Sequence, residues 1–198
     1  MGKKMDKEYE FIVIGASAGG FTALTTLLGS ISPNLKLPIA IVLHISSSDN
    51  GLSYLSEYMN KQCKLKVSSG EQFMDIKSGN IYIASPEYHL LIESNKTLSL
   101  CSSEKVKYSR PSIDVLFETA ADVYQDKLIG ILLTGANTDG ANGMKYIQDR
   151  GGTLIVQNPK TAEVNTMPSS AIKICNVDYV LELEEIITIL NKLTKTVE

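Results

Sequence analysis

Histidine is scarce in this sequence: only His44 and His89 occur in 198 residues. A histidine-built metal centre is therefore not expected, and nothing calls for a cofactor. Cysteine is scarce too. Cys63, Cys101 and Cys175 are an odd number, far apart, with no C-x-x-C spacing. That pattern excludes a disulfide framework or zinc site and suits reduced thiols in the cytoplasm. The apolar runs are all much shorter than the ~20 residues that span a bilayer, so no membrane insertion is expected. Residues 1–10 are charged with mixed sign, unlike a signal peptide. Basic charge is not in excess; the net charge of −3 argues against a nucleic-acid partner. Repeats, low-complexity tracts and linkers are missing as well, so residues 1–198 read as one domain large enough for a real core.

What is present is an alternation of short apolar runs and helical patterns. Runs at 11–15, 38–44, 64–67, 127–134, 153–157 and 177–181 read as strands. Helices are expected at 20–28, 52–61 (Leu52, Leu55 and Met59 on one face), 113–124, 139–150, 168–174 and 184–195. Ser112 is placed to cap the third of these. The strand runs are continuous rather than alternating, and helices intervene. The expected fold is therefore α/β, with a mostly parallel sheet covered on both faces. Runs at 79–85, 88–94 and 97–102, broken by Pro86–Glu87 and Asn95–Lys96, read as a small antiparallel insertion.

The organising stretch is 11–20, FIVIGASAGG. Gly15, Ser17 and Gly19 stand at G-x-S-x-G spacing, the pattern of a nucleophile elbow. A strand that turns sharply into a helix needs small residues around the turn and leaves the middle side chain exposed. The new helix also aims free N–H groups at that spot. Two other readings compete. A dinucleotide-binding turn would need glycine where Ser17 stands, and no acidic residue ends the next strand. Alternatively, Ser17 simply caps the helix.

Parallel sheets carry their functional residues past the carboxyl ends of strands. At those ends lie Ser17, then His44, then Asp139 in GANTDGANG. They supply a hydroxyl, an imidazole and a carboxylate, the inventory for acyl transfer. Each has a plainer alternative. His44 can be a buried histidine satisfied by backbone, and Asp139 can cap the helix that follows it. His89 is the runner-up base, with an edge or rim position favoured.

Taken in order, VIGASAGG, VLH, GNIYIASPEYHL, SRPSIDVLF, ILLTGANTDGANGM and TMPSSAI resemble the catalytic domain of CheB-type chemotaxis protein-glutamate methylesterases. The resemblance covers roughly residues 9–193. It implies a three-layer α/β/α fold with Ser17 as nucleophile, His44 as base and acid, and Asp139 as the carboxylate orienting His44. It implies an oxyanion site and lining formed around Ala18, Gly19, Ala136 and Met167. It implies substrates on the cytoplasmic helices of methyl-accepting chemoreceptors: glutamate methyl esters that release methanol, and certain glutamines that are deamidated. Arg110 is a candidate for the substrate rim; pairing with Asp114 is the alternative. Four departures stand out. Ala18 replaces a threonine. Ala136, Asn137 and Thr138 replace a methionine-glycine-asparagine run. Thr166 replaces a glycine. No phospho-receiver domain precedes the first strand in this sequence, so a stand-alone esterase or a fragment is expected. A non-catalytic signalling module that keeps the fold is the other class of reading, and a nucleotide-binding domain a third.

Overall fold

The computed structural model describes residues 7–44 and 51–193; for 51–55 and 193 it describes the backbone only. In chain order the elements are β1 (Phe11–Ala16), α1 (Gly20–Gly29), β2 (Ile39–Leu43), α2 (Gly51–Gln62), β3 (Lys66–Ser69) and β4 (Asn80–Ile83). There follow β5 (His89–Ile92), β6 (Leu98–Cys101), α3 (Ile113–Tyr124) and β7 (Leu128–Leu132). The chain closes with α4 (Ala141–Asp149), β8 (Thr153–Gln157), α5 (Thr166–Ile174), β9 (Tyr179–Leu181) and α6 (Leu183–Leu193).

Seven strands form one sheet in the order β3-β4-β2-β1-β7-β8-β9. Every ladder in it is parallel. All residues of β1, β2, β7 and β8 are buried, because helices cover both faces. Successive side chains on a strand point to opposite faces, so each apolar run feeds two cores at once. Ile12, Ile14, Ile39 and Ile41 pack with Leu24, Leu27 and Leu28 of α1, Met59 of α2 and Ile186 and Leu190 of α6. Phe11, Val13, Ala40 and Val42 pack with Leu116 and Phe117 of α3, Met144 and Ile147 of α4 and Met167 of α5. The architecture is therefore the expected three-layer α/β/α.

The antiparallel insertion is smaller than expected. Only β5 and β6 form it, as a two-stranded hairpin. The run at 79–85 instead supplies β4, which pairs parallel with β2 and β3 inside the main sheet. The hairpin packs on α3, with Leu90, Ile92 and Leu98 joining the second core. Element ends also move. The third strand starts at Lys66, and the helix after β7 starts at Ala141 rather than Asp139. Met59 is buried as expected of its helix face, whereas the side chains of Leu52 and Leu55 lie outside the described residues. Residues 194–195, expected to end the last helix, lie outside them too.

The strand order reverses at β1. From β1 the chain steps to β2 and outward, then returns through α3 to β7 on the other side of β1. Crevices open beyond the carboxyl ends of strands at such a switch point. Ser17, His44 and the loop holding Asp139 leave the sheet there, from the neighbouring strands β1, β2 and β7.

Candidate active site

The turn after β1 is built by its glycines. Gly19 has φ 75° and caps α1 in the left-handed region, which glycine enters without steric cost. Gly15 has no space for a side chain: a Cβ there would sit 2.4 Å from Ile113 Cγ2 and 3.1 Å from Leu132 Cδ1. Its absence lets the start of α3 press against the strand end. Gly15→Ala is expected to lower unfolding stability by about 1–3 kcal/mol through overpacking. The check is a lower denaturant midpoint at unchanged slope.

Ser17 is half-buried at the top of this turn. Its backbone is pinned, with the N–H donating to Thr134 O at 3.0 Å and the carbonyl accepting from Gly20 N at 2.7 Å. His44 continues the β1–β2 ladder by donating its own N–H to Ala16 O at 3.0 Å. Its imidazole therefore stands beside the Ser17 turn, with a side chain 14% exposed.

Among the described residues, the partners of the His44 ring are side chains rather than backbone. Nε2 lies 3.0 Å from Asp139 Oδ2, and Nδ1 lies 3.4 Å from Asn137 Nδ2. Asp139 is fully buried. Oδ2 also accepts from Ile113 N at 2.7 Å. Oδ1 accepts from Ser112 Oγ at 2.9 Å and from the N–H groups of Asp114 and Gly140 at 3.1 Å. Burial disfavours the carboxylate, but the His44 hydrogen bond and the Ile113 and Asp114 amides outweigh it. They hold the carboxyl below the usual range. Asp139 thus serves as an acceptor at the amino end of α3, an end also capped by Ser112. It does not cap the helix that follows it; Gly140 is the N-cap of α4 and makes no side-chain bond there.

Behind Asp139 lies a second buried carboxylate. Asp114 Oδ1 accepts from Gly140 N and Gly143 N, both at 2.8 Å, and Oδ2 pairs with Lys107 at 2.8 Å. Burial pushes the Asp114 carboxyl up, against the Lys107 bond. Asp114 ties the loop before α4 to α3 and so fixes the height at which Asp139 meets His44.

His89 heads β5 of the two-stranded hairpin but does not sit on an exposed rim. It is fully buried, its Nε2 bonding Glu104 O at 3.0 Å and its Nδ1 accepting from Ser112 N at 3.1 Å. Both nitrogens are used, Nε2 on the Glu104 loop and Nδ1 on the start of α3. Arg110 does not pair with Asp114. Its guanidinium donates to Ser102 O and Ser103 O at 2.8 Å and pairs with Glu87 at 3.0 Å. Lys107 takes Asp114 instead.

Ala18 and Ala136 are both exposed, and their N–H groups make no hydrogen bond to a described residue. Gly19 faces the side chain of Glu163, whose Cβ would lie 2.8 Å from a Cβ on that glycine. Met167 is buried under the β7 loop, with its N–H donating to Gly135 O at 2.9 Å. Sequence reasoning passed over Asn137 as a partner of His44. A signal was available: Asn137 Oδ1 accepts from Asp139 N at 3.0 Å, the Asx-turn habit of asparagine two residues ahead of an N–H.

The same arrangement of sequence has known relatives. Residues 12–190 match the family described as CheB methylesterase. This chain belongs to the CheB methylesterase family. It is 52% identical over 178 residues to a Leptospira interrogans protein provisionally named a protein-glutamate methylesterase/protein-glutamine glutaminase, covering 90% of this chain and 91% of that one. An Anaeromyxobacter dehalogenans protein-glutamate methylesterase/protein-glutamine glutaminase 2 is 34% identical, across 94% of this chain and 54% of its own length. The chain thus spans nearly all of one relative and about half of the other. Among solved structures, the Thermotoga maritima CheB methylesterase catalytic domain superposes with a TM-score of 0.89 at 30% identity, covering 94% of this chain and all of that one. Among the described residues of this CheB-family chain, no helix is long and apolar enough to cross a membrane.

Proposed function

We propose that this CheB-family chain is a serine hydrolase that removes methyl groups from glutamate side chains of chemoreceptor cytoplasmic helices, and deamidates glutamines there. Supporting the mechanism is the His44 Nε2–Asp139 Oδ2 contact beside the Ser17 turn. An ionised carboxylate accepts but cannot donate, so Nε2 carries the ring proton and Nδ1 presents its lone pair. Ser17 Oγ attacks the ester carbonyl while His44 Nδ1 takes the hydroxyl proton. The oxyanion is held by the N–H groups of Ala18 and Ala136, which bond no described residue and are donors of a kind worth roughly 3–4 kcal/mol each. His44 then returns the proton to the departing methanol. Water repeats the attack, and the acyl-enzyme is released as glutamate. With glutamine the leaving group is ammonia. The receptor helices that the proposed reaction acts on are cytoplasmic, so the work would be done in the cytoplasm, a compartment that suits three widely spaced cysteines.

The test is mass spectrometry of a methylated receptor peptide incubated with the protein, with methanol measured in parallel. Loss of the methyl group with equimolar methanol is expected. An unchanged peptide would show a domain that keeps the fold without turnover.

A further inference from the structure

No hydrogen bond joins Ser17 Oγ to His44; the His44 Nδ1 contact is with the Asn137 amide instead. One bond orients that amide independently of the ring. Asn137 Oδ1 accepts the Asp139 N–H at 3.0 Å, so Nδ2 must be the atom turned to His44. On the far side of the ring, Asp139 is surrounded by donors and remains an acceptor. Nε2 therefore bears the proton, and Nδ1 is a bare lone pair facing an N–H donor. Both sides of the ring agree on one tautomer.

That lone pair is single, and the proposed reaction needs it for the Ser17 hydroxyl. We propose that Asn137 is a positioning residue that occupies His44 Nδ1 in the free protein, so that His44 serves Ser17 only once the Asn137 amide is displaced. The inference rests on the reading of Ser17 as nucleophile and His44 as base. At 3.4 Å the contact is at the long end for a hydrogen bond, which suits a lock that substrate can open. Asn137 is partly exposed, so its amide can swing toward solvent, giving up the bond from the Asp139 N–H, while the Asp139 carboxylate stays held by Ser112, Ile113 and Asp114. Where Asn137 stands, the family resemblance leads one to expect glycine, which has no amide to compete.

The test uses a small fluorophosphonate, which needs no receptor peptide. Ser17 Oγ bonds to phosphorus, fluoride leaves, and the hydroxyl proton passes to His44 Nδ1. Asn137→Ala is expected to label Ser17 faster, by roughly 2- to 10-fold, the worth of one modest hydrogen bond. Asn137→Asp keeps an oxygen for the Asp139 N–H but replaces the donor at Nδ1 with an acceptor. It favours a proton on Nδ1, and labelling should slow. In the 15N spectrum of the ring, Nδ1 of His44 should move toward a free lone pair in Asn137→Ala. With only His44 and His89 in the chain, the signals are separable.

Unchanged or slower labelling in Asn137→Ala overturns the inference, slower labelling marking the amide as a helper in the reaction. An unmoved Nδ1 signal overturns it as well. If the wild-type protein is labelled nowhere at Ser17, the reading of the site falls and this inference with it. That outcome is distinct from labelling that ignores residue 137.

Discussion

Ser17→Ala should abolish methanol release, a fall in kcat on the order of a million-fold, and leave the domain folded. The size follows from chemistry: without the hydroxyl no acyl-enzyme forms, and water must attack the ester unaided by proximity. The harmlessness follows from the structure. Ser17 holds the turn through its backbone, with its N–H on Thr134 O and its carbonyl on Gly20 N. Its hydroxyl makes no hydrogen bond to a described residue. Alanine keeps both backbone bonds, so thermal unfolding should shift by no more than about 0.5 kcal/mol in stability. Methanol release and a circular-dichroism melt on the same preparation decide it. Activity that survives the substitution removes Ser17 from the mechanism.

Asp139→Asn should cut kcat about ten-thousand-fold, by stabilising the wrong tautomer of His44. Here the effect on stability is not small. Every group that hydrogen-bonds the Asp139 carboxylate is a donor: His44 Nε2, Ser112 Oγ and the N–H groups of Ile113, Asp114 and Gly140. An amide brings two hydrogens of its own into this ring of donors. With its nitrogen toward His44 it meets the Ile113 N–H and forces Nε2 to give up its proton. With its nitrogen the other way it meets the Asp114 and Gly140 amides. Either way a buried donor goes unpaired, at about 1–3 kcal/mol. The acid limb of stability should change too. In the wild type, burial works against the carboxylate but the His44, Ile113 and Asp114 bonds hold the Asp139 carboxyl below its ordinary range. The stabilisation it contributes is present above the ordinary carboxylate range and is lost as pH falls through the lower folded value. Asp114 runs the other way, since burial raises it and it takes up its proton earlier. Subtracting variant from wild type across the pH series isolates the Asp139 part. A variant whose acid limb matches the wild type would contradict this account.

Much of this design could be read along the chain. The apolar runs of β1, β2, β7 and β8 are continuous because both faces of the sheet are covered, and continuity is a local property. Ser112 before Ile113 announced the start of α3 by an equally local rule. Other features could not be read that way. The run that became β4 looks the same whether it pairs within a hairpin or joins the parallel sheet. Its partners, β2 and β3, are chosen by packing across the fold. His89 sits at the head of an apolar strand, yet its partners come from the Glu104 loop and the start of α3. Arg110 and Asp114 are four residues apart, but Arg110 precedes the helix and its guanidinium turns to Glu87 and the end of β6. Helical spacing has no force before the helix begins.

The layered α/β plan and the three residues at strand ends follow from residue pattern alone, because hydrophobic period and turn chemistry act over a few positions. Which nitrogen of His44 meets Asp139, that Asp139 caps α3 rather than α4, and that Asn137 takes the remaining nitrogen were settled only when the chain closed up. Those contacts join side chains 93 and 95 residues apart and a helix end 26 residues away. Their geometry depends on how helices press on a sheet, and that is a property of the whole packed core.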